Sequence, residues 1–589
     1  MKFELLPNEI FIEIFEFLSI FDIFYSFNQL NNHFNQLIRT IPLHVNFKNI
    51  QKSIFDRFCE FLLSNPDVKN QIYSLILSNK DTSDQIKTFL SLFSLNEFLH
   101  LHSLTLIQVE ENILQKLKLI IPLIPQLHSF HLFDSNDIHL TDSLISNLEI
   151  LSIPTLSSIN KFSSITNLTI SACSLDQLFH YLFKYAPMLT YLNIQYLSSY
   201  YSYTTNYSNI DFMKAIHLKE LIISNFEYKF EDFKLLAKYI PKLTSLKFYG
   251  TYDLDMIDAN QWEYLITSLL SCLDTFKFIF NYIYKPNDNH IEDKFNKFQT
   301  DFWIKQHQWY TEYSLSNYSA LIYTVPYMLN SYTLELDSNR YSNQLINTFN
   351  NVKNLTIYHT KIRELGGYYF SNVTSLTILP PKYAHRPQLG TQAIKSLKNI
   401  VNLSNLKYWG ISFEFKIKDA YVLLRILQEA PKISSMMISI RALEHFAYND
   451  EACEYLNKMI KKLDIYKYQS SSFKFHHQIE NFCKIFSNIE QLKCNIDQAN
   501  DLLYLLNHLP KLSMLKAYLW KINDYDYFYS CQENGPNVFN CSQVIVSGQV
   551  EQGKKDILIA TDVVGRGIDI QDVSLVINYD MTWTIQGKQ

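Results

Sequence analysis

Residues able to carry chemistry are sparse along most of this chain and gather near its C-terminal end. Six of its eleven glycines (Gly535, Gly548, Gly553, Gly565, Gly567 and Gly587) lie beyond residue 530. A phosphate-cradling loop, G-x-x-x-x-G-K-[ST], needs glycines so that backbone N–H groups can close on the phosphate, and a lysine to meet its charge. The sequence holds no such run, since Gly553-Lys554 and Gly587-Lys588 lack the loop before them. Asp450-Glu451-Ala452 imitates a metal-holding acidic motif but continues into Cys453 and opens a helical-period segment instead of ending a buried strand. The eight cysteines (59, 173, 272, 453, 483, 494, 531 and 541) form no Cys-x-x-Cys pair and no Cys/His cluster at zinc spacing, and are expected to be reduced structural thiols. His290 and His307 have no partners at metal spacing and read as structural. No catalytic residue, metal or cofactor is therefore expected.

What remains is the stretch Lys554 to Asp580, where two apolar runs, Ile557 to Ala560 and Val573 to Ile577, bracket a Gly-Arg-Gly turn. Runs of that length suit parallel strands covered on both faces. The polar candidates between them are Thr561, Asp562, Arg566, Gly567 and Asp569.

The rest of the chain must be explained by bulk and period. At 589 residues and 47% hydrophobic content it can bury a large core, and such a length divides into several domains unless it is a repeat array. Glycine is far below its usual ~7%, whereas 40 Tyr and 42 Phe point to a core packed with aromatics. The formal charge of -5 gives no global reason to expect nucleic acid or an anionic membrane as the main partner. Glu4, Glu9, Glu13 and Glu16 interrupt any secretory signal, and Asp274 and Lys277 break the apolar stretch from Tyr264 to Tyr284. A soluble protein of the cytoplasm, the nucleus or both is expected.

Residues Leu5 to Leu18 read LLPNEIFIEIFEFL, with Pro7 placed for the first turn of a helix, where its missing N–H costs nothing. Glu9, Glu13 and Glu16 fall on one stripe while Ile10, Phe11, Ile12, Ile14, Phe15, Phe17 and Leu18 cover the remainder. So greasy a helix needs two packing partners. From about residue 100 onward a second pattern recurs: apolar, two spacers, apolar, one spacer, apolar. Leu101-Leu104-Leu106, Leu127-Phe130-Leu132, Leu168-Ile170 after Ile165, Leu218-Leu221-Ile223, Val352-Leu355-Ile357 and Leu512-Leu515-Ala517 are instances. Five of these repeats place a proline (Pro125, Pro187, Pro241, Pro431, Pro510) two residues ahead of the first anchor, where it stops a preceding helix. Asp176, Asp232, Asp419 and Asp501 stand near the start of helical-period segments upstream, as the helix dipole favours. Each unit is expected to be strand, turn and helix, stacked as a curved solenoid. The outward strand spacers, such as Thr105, His131, Asn193, Lys247 and Thr356, are where a bound protein would be read. The Asn expected in the turn is largely absent (Val109, Ser135, Leu156, Leu197 and Phe226 occupy it), so the horseshoe is expected to be irregular. Residues 281–350 break the period, and their Trp303, Trp309 and Tyr310 are expected to pack on the array.

Two resemblances complete the reading. Leu6-Pro7, Glu9-Ile10, Ile14-Phe15, Leu18, Phe21-Asp22-Ile23, Phe27, Leu30, Asn31, Phe34 and Leu37 together resemble an F-box. That resemblance implies a three-helix motif docking on the Skp-type linker of cullin ubiquitin ligases, with Leu6, Pro7, Ile10, Ile14, Phe15 and Leu18 supplying the apolar contact. The chain departs from the family in NQLNNHFNQL, with Phe34 where Trp is often found. The C-terminal stretch resembles motif V in the second RecA-like domain of Asp-Glu-Ala-Asp-box RNA helicases, particularly the spliceosomal branch. By that resemblance Thr561-Asp562 and Arg566-Gly567-Ile568-Asp569 link RNA-backbone contacts to the nucleotide. Phosphoryl transfer also needs a phosphate loop, a metal-holding acid and an arginine-bearing motif, none of which is visible, so the stretch reads as an inactive fusion or a join made in gene prediction.

The expected organisation is an α/β chain: an F-box at 1–48, an irregular leucine-rich-repeat solenoid at 49–525 with an insertion at 281–350, a linker at 526–552 and a helicase-like fragment at 553–589. The expected role is a non-catalytic adaptor, the substrate-recognition subunit of a Skp-cullin-F-box ligase, with the linker protein, the cullin ligase and an unidentified protein target as partners. Nucleic acid and membrane are not expected. An RNA-dependent ATPase and a repeat scaffold with no ligase role are the rivals.

Overall fold

A computed structural model describes residues 6–520 apart from internal stretches, of which 136–147, 200–211 and 359–366 are the longest, together with 541–547, 557–558 and 575–576. The chain divides into two compact units, one built from Met1–Tyr313 and Tyr318–Thr324, the other from Ser314–Asn317 and Val325–Gln589.

The first unit opens with three short helices, α1 (Asn8–Glu16), α2 (Ile20–Phe27) and α3 (Asn32–Ile38). Pro7 stands at the N-cap of α1. Ser19 caps α2 by accepting the Asp22 N–H at 3.2 Å, and Asn31 caps α3 by accepting the Phe34 N–H at 2.9 Å. Such caps satisfy backbone donors that have no intrahelical partner and contribute about 1 kcal/mol each. Phe11 and Phe15 face inward, onto Phe34 and Phe27 respectively. Phe21 and Phe24 of α2 pack on Phe58 of the following helix, Lys52–Ser64. Phe21 also meets Phe47, just past the first strand, so the helices are wedged onto the start of the sheet.

Ten parallel strands of that sheet lie in chain order: β1 (Leu43–Asn46), β2 (Ile72–Ser78), β3 (Ser103–Ile107), β4 (Ser129–Phe133), β5 (Ile150–Thr155), β6 (Asn167–Cys173), β7 (Tyr191–Leu197), β8 (Glu220–Phe226), β9 (Ser245–Thr251) and β10 (Thr275–Ile283). The pattern sought in the sequence is the register. Leu75, Leu104, Phe130, Leu151, Leu168, Leu192, Leu221, Leu246 and Phe276 form one buried column across β2–β10. Burying a Leu or Phe contributes about 1.5–3 kcal/mol each, so this column and its neighbour two residues on hold the stack together. The array starts earlier than residue 100, because β1 and β2 already belong to the ladder.

Between strands the helices end where proline follows. Phe230–Lys238 gives way to Pro241, Ala420–Glu429 to Pro431 and Ala499–His508 to Pro510. Asp232 serves as a cap partner, accepting the Lys229 N–H at 3.0 Å. At the turn positions that lack Asn, Val109, Leu156, Leu197 and Phe226 are buried and apolar packing takes the place of the amide. Ser135 does part of the missing work, since its Oγ accepts the Val109 N–H at 3.2 Å.

The break near residue 281 closes the first ladder. The strand Ser319–Thr324 lies antiparallel on β10, and Trp303 and Trp309 are buried against Phe276 and Phe278. The second unit restarts the ladder with parallel strands Ser331–Leu334, Asn354–Tyr358, Ser375–Leu379, Tyr408–Ile411, Ser435–Met437, Lys462–Asp464, Gln491–Ile496 and Met514–Trp520. Its buried column runs Tyr332, Leu355, Leu376, Trp409, Met436, Leu463, Leu492 and Leu515.

A further strand, Cys541–Ser547, falls inside the stretch read as a linker and pairs antiparallel with Met514–Trp520. The lost leucine period and the rise in glycine favour a linker here, but Val544-Ile545-Val546 are β-branched residues that favour an extended strand. Beyond it, Ile557–Leu558 pairs parallel with Leu575–Val576, the arrangement expected on either side of the Gly-Arg-Gly turn.

Candidate interaction surfaces

Helix α1 separates the six residues named for docking. Phe15 is in the core at 4% exposure. Leu6, Ile14 and Leu18 are half-buried, while Pro7 is exposed. Ile10 is 39% exposed and Phe17, at the C-cap, 89%. Leu6 precedes the extended Pro7 N-cap; at 3.6 residues per turn Ile10 and the C-cap Phe17 lie along one side with the exposed Glu13 between them and Ile14 at the border, and Phe11 and Phe15 lie on the other. The helix therefore buries one apolar face and leaves Ile10 and Phe17 in solvent. The His33 ring, 2.7 Å from the Asn8 side-chain oxygen through Nε2, ties the start of α1 to α3 and fixes how that face is presented.

Each unit also has a strand face opposite its helices. Thr105, His131, Asn193, Lys247 and Thr356 are all half-buried at strand positions that alternate with the core, where a pleated strand sends side chains outward. Thr105, His131, Ser152, Thr169 and Asn193 follow one another in register from β3 to β7. His131 is held by hydroxyls on both sides, with Ser129 Oγ 2.8 Å from Nε2 and Ser152 Oγ 2.7 Å from Nδ1, and burial pushes its pKa below the ordinary imidazole value. Lys247 pairs with Glu220 at 2.9 Å across neighbouring strands. Burial and that Glu220 carboxylate both raise the pKa of Tyr191. In the second unit Lys493 pairs with Asp464 at 2.9 Å and lies over the Tyr466 ring.

Among the described residues no group of three or more His, Cys, Asp or Glu side chains could hold a metal ion. His307 lies flat on Trp309, ring centroids 4.1 Å apart, and burial lowers its pKa. Desolvation pushes the Cys59 thiol up to about 12 and raises Cys173 and Cys494 as well, opposite to the shift an attacking thiolate needs. No described helix is long and apolar enough to cross a membrane. Thr561, Asp562, Arg566, Gly567 and Asp569, like His290, lie outside the described residues.

Residues 542–588 match the family described as the helicase conserved C-terminal domain. The chain is 34% identical over 124 residues to the probable ATP-dependent RNA helicase DDX23 of Homo sapiens, an alignment covering 20% of this chain and 14% of that protein. It is 60% identical over 37 residues to the pre-mRNA-splicing ATP-dependent RNA helicase prp28 of Aspergillus oryzae, which is 6% of this chain and 5% of that one. The chain thus spans a small part of the length of these relatives. A leucine-rich-repeat protein of Leptospira interrogans is a distant structural neighbour, 12% identical with a TM-score of 0.17, over 77% of this chain and 91% of that one. The structure shows a parallel-strand α/β architecture, and the comparisons relate the C-terminal segment to helicases.

Proposed function

We propose that the chain is a non-catalytic adaptor of a Skp-cullin-F-box ubiquitin ligase. In this reading α1 docks on the Skp-type linker protein, and the strand face of the array holds an unidentified protein target. The observation that carries the reading is the split of α1 into a buried face and an outward face on which Ile10 and Phe17 are exposed. Exposed apolar surface of that kind marks an interface more often than chance. The mechanism is proximity: two binding surfaces on one chain raise the effective concentration of target lysines near the ubiquitin carrier. Such work belongs in the cytoplasm or nucleus. Pull-down with the purified linker protein tests it. Binding should be lost on Leu6→Asp with Ile10→Asp, and unchanged binding would sink the docking assignment. Target capture without linker binding would instead favour a repeat scaffold with no ligase role.

The match of residues 542–588 favours one rival, an RNA-dependent ATPase. The adaptor reading expects no RNA-stimulated ATP turnover above background from the purified chain, and such turnover would favour the rival.

A further inference from the structure

The second unit carries an excess of lysine along one end of its ladder. The residues that stand immediately before its strands form a row, each N–H donating to the carbonyl of the residue before it in the row. Thr374 donates to Lys353 at 2.9 Å, Lys407 to Thr374 at 2.8 Å, Ser434 to Lys407 at 3.0 Å, Lys461 to Ser434 at 2.8 Å and Glu490 to Lys461 at 2.8 Å. Lysine therefore recurs on every second strand from Lys353 to Lys461. Lys462 stands one residue further along, in register with Ser435 and Gln491, and Lys432 follows Pro431 at the same end of the ladder.

The fold does not call for these charges. Lysines in the last turn of a helix answer the helix dipole, but none of these five lies on a helix. Lys353, Lys407, Lys432 and Lys462 are exposed, and among the described residues no carboxylate pairs with any of them. The carboxylates beside the row already have cations. Glu490 is met by Lys461 at 3.5 Å, Asp464 by Lys493 at 2.9 Å, and Glu429 by Lys398 and Arg425. The Lys461 pair is half-exposed and so of little strength. In a chain whose formal charge is -5, cations gathered on one edge without an internal partner are charge left over for another molecule.

Spacing narrows the class of that molecule. Neighbouring strands lie ~4.8 Å apart, so Lys353, Lys407 and Lys461 recur every ~9.6 Å. A polyproline II segment turns once in three residues and rises ~3.1 Å per residue, which places every third side chain on one side at ~9.3 Å intervals. An acidic residue at every third position then meets each lysine of the row, and the small side chains of Thr374 and Ser434 let the segment lie close between them. A single strand of nucleic acid fits less well, because its sites add aromatic rings on which bases stack. The neighbouring ring, Tyr408, is instead turned along its strand over Gly410, where an added Cβ would stand 2.9 Å from the tyrosine hydroxyl.

We propose that this edge of the second unit binds an acidic, proline-rich segment of a protein target, with Lys353, Lys407 and the Lys461-Lys462 pair meeting carboxylates from every third residue. The inference rests on the array being the part of the chain that holds the target, and adds the class of segment it takes.

The test uses the full chain and three N-acetylated peptides: four Glu-Pro-Pro repeats, four Gln-Pro-Pro repeats, and four consecutive glutamates followed by eight prolines, which keeps the charge and removes the period. An oligouridylate of equal length is the fourth probe, with binding read by calorimetry at fixed ionic strength. The Glu-Pro-Pro peptide should bind about tenfold more tightly than either other peptide, on the scale of three exposed ion pairs, and the advantage should shrink as salt is raised. Lys353→Gln with Lys407→Gln and Lys462→Gln should remove it. Lys87→Gln with Lys116→Gln and Lys238→Gln, at exposed lysines of the first unit, should keep it for the same change in net charge. In the unmodified chain, carbodiimide should join peptide carboxylates to Lys353, Lys407 and Lys461 or Lys462, as read by mass mapping, a result that does not depend on a variant folding. Equal affinity for the three peptides, an advantage that survives the second-unit substitutions, tighter binding of the oligouridylate through the same lysines, or cross-links confined to other residues would each overturn the site. Any of these with the linker pull-down intact leaves the adaptor reading standing, whereas a failed pull-down with peptide binding intact strikes that reading alone.

Discussion

Phe11 of α1 and Phe34 of α3 meet edge to face, ring centroids 4.9 Å apart at 84°, and both are fully shielded from solvent. Phe34 also touches Phe27 at 5.4 Å, so one ring joins all three helices and fixes how α1 presents Ile10 and Phe17. Phe34→Ala should cost about 3–5 kcal/mol, the usual range for emptying a buried aromatic site. Hydrogen exchange should show protection lost across Asn8–Glu16 while β6–β9 stay protected. Equal protection of α1 in variant and parent would mean that the helix is held from elsewhere.

His131 makes stability depend on acid in a definite direction. Burial holds its folded-state pKa below the ordinary value, so the unfolded chain takes up the proton first as pH falls. Where the unfolded state binds more protons, stability rises with pH. The contribution is thus fully present above ~6.5 and is lost as pH drops from there toward the folded value. His131→Asn removes this loss along with the two hydroxyl contacts. The Tm deficit of the variant should be larger at pH 7.5 than at pH 5.5, and a deficit that widened with acid would contradict the assignment.

The repeats were legible wherever one strand face is buried and the other wet, because a parallel ladder in register forces the same spacing in every unit. Leu101, Leu104 and Leu106 announce β3, and all three are fully buried. The first strand escaped because its register shifts by a residue: Leu43 pairs with Ile72, but His44 pairs with Ser74. That compresses the signature to Leu43-Val45-Phe47. In β2, Ile76 fills the outward spacer and makes a continuous apolar run of a repeating one. Ser319–Thr324 and Cys541–Ser547, which pair antiparallel with their neighbours, belong to no repeat, so period does not disclose them. On α1 a full ring of apolar residues is readable, but which of them α3 covers depends on Phe34 and Asn31, far off in sequence.

The buried thiols make a chemical prediction. Desolvation holds Cys59, Cys173 and Cys494 in the neutral form, and each is buried. An alkylating reagent at pH 7.5 should leave all three unmodified in the folded chain and label them together in denaturant, as read by peptide mass mapping. Rapid labelling of Cys173 without denaturant would mean that β6 opens locally, which the strands on either side of it argue against.

The strand Cys541–Ser547 gives the most direct test of how the helicase-related segment relates to the array. It pairs along the whole of Met514–Trp520, from Met514 opposite Ser547 to Trp520 opposite Cys541, and so occupies what would otherwise be an open edge of the second ladder. Alternate residues of an antiparallel strand point their N–H groups at the partner. Val544→Pro with Ile545→Pro therefore removes at least one ladder bond whichever phase applies, and the rigid rings disturb the extended backbone. The local loss should be about 1–2 kcal/mol, on the scale of one or two net hydrogen bonds. Hydrogen exchange should accelerate across Met514–Trp520 and hardly change across Asn354–Tyr358. The uncovered edge should also make the variant self-associate as concentration rises, since an unpaired strand invites another. Unchanged protection of Met514–Trp520 would detach this strand from the array and leave the helicase-related segment with no part in its fold.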